Sequence, residues 1–196
     1  MVEWGKLDTI LSVILVISLS MVFFENISSI TGHATEGSTV SNVTITRYLS
    51  IDFSPSFYEG IQFGNVSELP AIDINATHNY DGASNETQYY INVSADSNTA
   101  VDFCVMAQTP LTNTGAAEIP LENETYYVEN YTDANNPDIS SQVSLTLAYV
   151  KPASATAVPE GNSSYWRFWL DVPVSQETGT YNNTLMFKGV AEAVSC

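Results

Sequence analysis

Ten asparagines of this chain stand two residues ahead of a serine or threonine with no proline between: Asn26, Asn42, Asn65, Asn75, Asn85, Asn92, Asn123, Asn130, Asn162 and Asn182. The side-chain amide in that pattern is an acceptor for an N-linked glycan. Sixteen asparagines in a chain with roughly a fifth of its residues Ser or Thr would give about three or four such sites by chance. Ten is an excess that points to an exported, glycosylated protein. The second chemistry on offer is thiol chemistry. Cys104 and Cys196 are the two cysteines, and in an oxidising compartment they are expected to form one disulfide, worth at most about 4 to 5 kcal/mol by loop closure. Pairing between two copies is the alternative.

Other chemistries are poorly served. GxSxG, HExxH, P-loop and GxGxxG motifs do not occur. His33 and His78 are the two histidines, and His78 sits in a polar NATHNYDG stretch that reads as a turn. Asp73, Asn75, Thr77 and Asp81-Gly82 offer oxygen ligands, but their spacing is not that of a calcium loop. No catalytic residue, metal or cofactor is expected beyond covalent glycans, and no enzyme activity. Twenty-two acids against five bases give a net charge of −17, yet charged residues are only 14% of the chain. The acidity thus reflects scarce Lys and Arg. Lys6, Arg47, Lys151, Arg167 and Lys188 are scattered singly, which excludes nucleic-acid binding by phosphate neutralisation.

The elements that carry these residues divide at residue 34. Ile10 to Phe24 is a fifteen-residue run without charge, about 22 Å as a helix against the roughly 30 Å hydrocarbon core. Extension over residues 7–30 reaches about 36 Å but takes in Asp8, Glu25 and Asn26. Thr31-Gly32-His33-Ala34 supplies small residues for a signal cut after Ala34. The segment 1–34 reads as a cleaved signal peptide, an uncleaved anchor, or a retained helix that packs against copies of itself. Membrane contact is expected only through residues 7–30, if they are retained. Under each reading the remainder is extracellular, at the cell surface.

Residues 35–196 show the period-two alternation of strands and no helical periodicity. Strands are expected at 41–53, 61–66, 71–77, 87–94, 100–107, 124–129, 142–150, 164–172 and 183–191. This predicts an all-β domain, an Ig-like sandwich of about 8 or 9 antiparallel strands after an N-terminal hydrophobic helix. Asn42, Asn75, Asn92 and Asn182 fall on the parity opposite their apolar neighbours, the outward face of a strand. In Ser164 to Val172, Trp166, Phe168, Leu170 and Val172 should face the core. Tyr165, Arg167, Trp169 and Asp171 share a face too aromatic for simple solvation: either Arg167 stacks on its neighbours and pairs with Asp171, or another chain covers it. Residues 95–122 and 133–161 lack sequons, so these bare stretches are expected to contribute to subunit contacts.

With these residues in view, the chain resembles archaeal pilin-like surface glycoproteins, in which a hydrophobic N-terminus precedes one glycosylated β-domain. FYEGIQFGNV at 57–66 is similar to the early strand–turn–strand of camelysin- and TasA-like fibre proteins and of archaeal bundling-pilus subunits. VPVSQETGTYNNTLMFKGV at 172–190 resembles the last hairpin of Ig-like extracellular domains. The resemblance implies a structural subunit of a cell-surface filament or pilus whose partners are copies of itself. Assembly would run through the N-terminal helix, or through donation of 36–53 to a neighbour's open sheet edge. The alternatives are a monomeric carbohydrate-binding or adhesion module with a Tyr165/Trp169 platform, and a surface-layer component.

Overall fold

A computed structural model describes residues 11–15, 17, 40–131 and 136–196, in a chain that divides into two compact units, Met1–Thr44 and Ile45–Cys196. In the first unit residues 11–15 and Ile17 are helical and exposed, and residues 40–44 have no regular secondary structure. Among the described residues no helix is long and apolar enough to cross a membrane. The rest of the expected 7–30 helix, Asn26, the cut after Ala34 and the 34/35 junction lie outside the described residues.

The second unit is rich in β-structure and antiparallel throughout. Its strands are β1 (Ile51–Phe53), β2 (Ala71–Asn75), β3 (Tyr89–Val93), β4 (Val101–Ala107), β5 (Leu111–Thr112), β6 (Glu118–Ile119), β7 (Glu124–Glu129), β8 (Val143–Ser144), β9 (Ser163–Val172) and β10 (Leu185–Ala191). The ten-residue β9 organises the larger sheet, whose order is β1-β3-β9-β7-β8 with β2 also on β9. One edge of β9 takes β3 along its first half, with Tyr89 opposite Trp166. The same strand takes β2 along its second half, with Ile74 opposite Leu170. The other edge takes β7, from Glu129 opposite Tyr165 to Glu124 opposite Leu170. β4 and β10 pair over seven residues, from Val101–Ala191 to Ala107–Leu185. Single bridges to Val150 and Val158 occupy the far edge of β4.

The inward face of β9 forms the core centre, as its alternation predicts. Trp166 and Phe168 are fully buried, and Phe187 of β10 meets Trp166 edge-to-face at 5.2 Å. Phe57, Tyr89 and Phe53 complete the aromatic cluster around Phe187 and Phe168. This packing lays the β4–β10 pair on one face of the larger sheet. Burying a side chain of the Phe168 or Phe103 kind contributes roughly 1.5 to 3 kcal/mol.

The structure corrects several boundaries. The expected 41–53 strand is a strand only over Ile51–Phe53, and 142–150 only over Val143–Ser144. Residues 61–66 form none, although Ile61 and Phe63 still pack on the core. Their alternation serves side-chain burial without a backbone ladder. A short helix, α1 (Pro55–Glu59), was not expected, nor was the β5–β6 hairpin. Pro55 at the first helical position and Gly60 behind it are ordinary helix signals, but five residues are too few to show a period. The hairpin closes on Asn113, whose Oδ1 accepts from the N–H groups of Gly115 and Ala117, both at 2.9 Å.

Candidate functional site

The outer face of β9 was the first place where sequence left two explanations open, and the chain itself covers it. Arg167 is 3% exposed. Its Nε donates to Asn79 O at 2.9 Å, one Nη to Pro137 O at 2.8 Å, and the other to Asn85 O. The guanidinium also lies 4.1 Å from the Tyr80 ring centroid. Burial pulls its pKa below the ordinary arginine value, opposed by the nearby Tyr80 and Asp138. Asp171 does not supply the counter-charge, since its carboxylate accepts from the Asp73 N–H at 2.7 Å. Trp169 is fully buried, so it forms no exposed platform with Tyr165.

Asn79 was missed by sequence reasoning and is central here. Its Nδ2 donates to Phe168 O at 2.6 Å and its Oδ1 accepts from Phe168 N at 2.9 Å. With Ala76 N, which also donates to Phe168 O at 3.1 Å, it fills the edge of β9 between β3 and β2. A signal existed: Asn79 stands in the NATHNYDG turn without being a sequon. The sequon asparagines behave oppositely. Asn42, Asn65, Asn75, Asn85 and Asn182 are exposed and Asn92, Asn123, Asn130 and Asn162 half-buried, so none of the nine described sequon asparagines is fully buried.

Cys104 on β4 and Cys196 form an intramolecular disulfide across 92 positions, which excludes their pairing between copies in this state. Asp102, beside Cys104, helps fix the same C-terminal segment. It accepts from Lys151 Nζ at 2.8 Å and from the N–H groups of Ala157 and Ala193 at 2.8 and 3.0 Å. Burial alone would raise its pKa, but these hydrogen bonds outweigh it and hold the carboxyl below the usual range. Lys188 Nζ donates to Cys196 O at 2.7 Å.

Glu124 is a buried carboxylate with one donor, Asn183 Nδ2. Burial pushes its pKa up to about 7 against that hydrogen bond. Among the described residues no second carboxylate contributes to that shift, as a neighbouring one in an acid–base pair would. His78 bridges Gln88 Oε1 at 3.0 Å and Glu59 Oε2 at 2.9 Å, tying its turn to α1. Asp81 caps its own turn through Ser84 and Ala83, and the Ser84 hydroxyl chiefly lowers its pKa. Among the described residues no three His, Cys, Asp or Glu converge as a metal site.

The remaining feature is a pair of unsatisfied strand surfaces. In residues 40–45 Val43 and Ile45 are 86% and 80% exposed. The following residues are tethered: Asn98 donates to Thr46 O at 3.0 Å and accepts from Tyr48 N at 2.8 Å, and Ser50 N donates to Ser97 Oγ at 3.1 Å. β1 then pairs with β3. The expected donor segment 36–53 is therefore committed to its own domain from Thr46 onward, which leaves 40–45 as its unpaired described part. The matching surface is β10. Among the described residues β4 is the one strand paired with it, which makes the seven-residue β10 the edge of that two-stranded sheet. A strand paired on one side is the kind of edge that can take a further strand. The sequon-free stretch 133–161 also exposes Val143, Leu147 and Val150.

No protein-family model matches the chain, and no curated protein or solved structure matches it.

Proposed function

We propose that this chain is a structural subunit of an extracellular cell-surface filament, N-glycosylated on its outer faces, whose copies join by strand addition. The antiparallel layers are read as an Ig-like sandwich lacking one edge strand beside β10. Residues 40–45 of one copy would supply it, with Val43 and Ile45 turned toward the half-buried Leu185 and Phe187 of the next. The observation that carries this reading is the coexistence, in one chain, of an exposed segment bearing Val43 and Ile45 on one parity and a seven-residue strand, β10, paired on one side among the described residues. A strand with one apolar face gains hydrophobic burial and backbone hydrogen bonds by such docking. The acceptors at Asn65, Asn75, Asn85 and Asn182, all exposed, would keep other faces solvated. Packing of the 7–30 segments into a filament core is the competing mode of assembly for the same function.

The test is assembly of the full-length protein, followed by negative-stain imaging and sedimentation. The native sequence is expected to give fibres. The double substitution Val43→Asp with Ile45→Asp is expected to leave a folded monomer that forms none. Fibres of normal length from the double variant would overturn strand addition by this segment. Monomers from the native sequence under every assembly condition would overturn the filament reading.

A further inference from the structure

We propose that the sequons are modified in two stages, and that Asn85 and Asn162 accept glycans only while the chain is unfolded. The inference rests on the N-glycosylation reading above and concerns the order of events. The acceptor pattern requires the hydroxyl at the second position after Asn as much as the Asn itself, so an enzyme reading it must reach both groups. Among the described residues of the folded unit two of those hydroxyls are sealed in the core. Ser164 is 0% exposed, and its Oγ accepts from Trp166 Nε1 at 2.9 Å. Thr87 is 5% exposed; its Oγ1 donates to Trp166 O at 2.6 Å and accepts from Tyr89 N at 3.1 Å. Both hydroxyls are thus bonded to the central tryptophan of β9.

The acceptors themselves are held as well. Asn162 Nδ2 donates to Glu160 O at 3.3 Å, and Asn162 O accepts from Val93 N at 2.8 Å. Asn85 has a left-handed backbone (φ 61°) and its carbonyl accepts from Arg167. Exposing Thr87 or Ser164 means parting β3 from β9, the centre of the larger sheet. Proteins of ordinary stability are open to that extent in roughly one molecule in a thousand to one in a million. Asn42 with Thr44 and Asn65 with Ser67 are the contrast. All four residues are exposed, and neither pair lies in a strand or helix.

In each transfer Asn Nδ2 bonds to the anomeric carbon of a glycan carried on a lipid phosphate. The anomeric C–O bond breaks with its electron pair going to the phosphate oxygen, and the amide proton passes to a base of the transferase. For Asn85 and Asn162 this step must precede closure of the sheet; for Asn42 and Asn65 it is open before and after.

The test uses full-length protein made in a host without N-glycosylation. One portion is folded with its disulfide formed, and the other is reduced and carboxymethylated so that it stays unfolded. Each receives a purified single-chain oligosaccharyltransferase and its lipid-linked glycan in detergent, and peptide mass mapping gives occupancy at each sequon. The expected result is filling of Asn42 and Asn65 in both portions, with Asn85 and Asn162 at least about tenfold less occupied in the folded one. Equal occupancy of Asn85 and Asn162 in both portions overturns the proposal. So does a folded portion with all four sites empty beside an unfolded portion with all four filled. An unfolded chain modified nowhere overturns the glycosylation reading itself, and the proposal with it.

Discussion

Val43 with Ile45 and the inward face of β9 follow the same period-two pattern, and they end in opposite environments. Trp166 and Phe168 are fully buried, while Val43 and Ile45 stand in the open. The difference lies in what the rest of the chain supplies. β9 has β3 and β2 on one edge and β7 on the other. Beside Phe168, between β3 and β2, the Asn79 side chain bonds both its N–H and its carbonyl, and Ala76 N donates to that carbonyl as well. Residues 40–45 receive no such partner among the described residues. Alternation fixes an extended conformation and a face, but it says nothing about whether the partner belongs to the same chain.

If β9 belongs to a self-sufficient body and 40–45 does not, substitutions in the two regions should separate stability from assembly. The largest stability effect is expected from Cys104→Ser with Cys196→Ser, which removes closure of a 92-residue separation and should cost roughly 4 kcal/mol in urea unfolding. A loss near zero would mean that the segment around Asp102 is held without the bond. Next comes Arg167→Met, which leaves the carbonyls of Asn79, Asn85 and Pro137 without their donor and should cost roughly 3 kcal/mol. A neutral outcome would show that the outer face of β9 does not depend on this buried cation.

Glu124 gives a smaller effect of opposite sign. Its folded pKa of about 7 lies above the ordinary 4.5. Between those values the unfolded chain releases the proton while the folded unit keeps it, so stability falls as pH rises through that window. The full span is on the order of 3 kcal/mol. Glu124→Gln should therefore raise the urea midpoint at pH 8 by an amount equivalent to about 2 kcal/mol, and should flatten the profile between pH 5 and 7. An unchanged profile would show that Glu124 titrates normally. The smallest effect on stability belongs to Val43→Asp with Ile45→Asp, within about 0.5 kcal/mol, together with complete loss of fibres.

How much of this was legible in the sequence follows the same division. The inward face of β9 could be read because four large apolar residues recur at period two, and the disulfide because only two cysteines exist. The outer face could be recognised as unsuited to water, but its cover comes from Asn79, Asn85 and Pro137, which are 88, 82 and 30 positions away. No local pattern encodes such a contact. Segment 61–66 misled because Ile61 and Phe63 obey the alternation for packing, and 142–150 because it pairs in separate short pieces, Val143–Ser144 with β7 and Val150 with Val105 of β4. The sequon asparagines could be listed from sequence. That Thr87 is locked against Trp166 could not be, because that contact spans 79 positions; the Ser164–Trp166 bond is local to β9, but the burial of its hydroxyl depends on what packs over the strand.

The most direct test of strand addition is a filament map, by electron cryomicroscopy, of protein assembled at the native cell surface. The expected map shows residues 40–45 of one copy as a strand hydrogen-bonded to the free edge of β10 in the next, with Val43 and Ile45 over Leu185 and Phe187. A map in which β10 keeps an empty edge and 40–45 faces solvent would contradict the account.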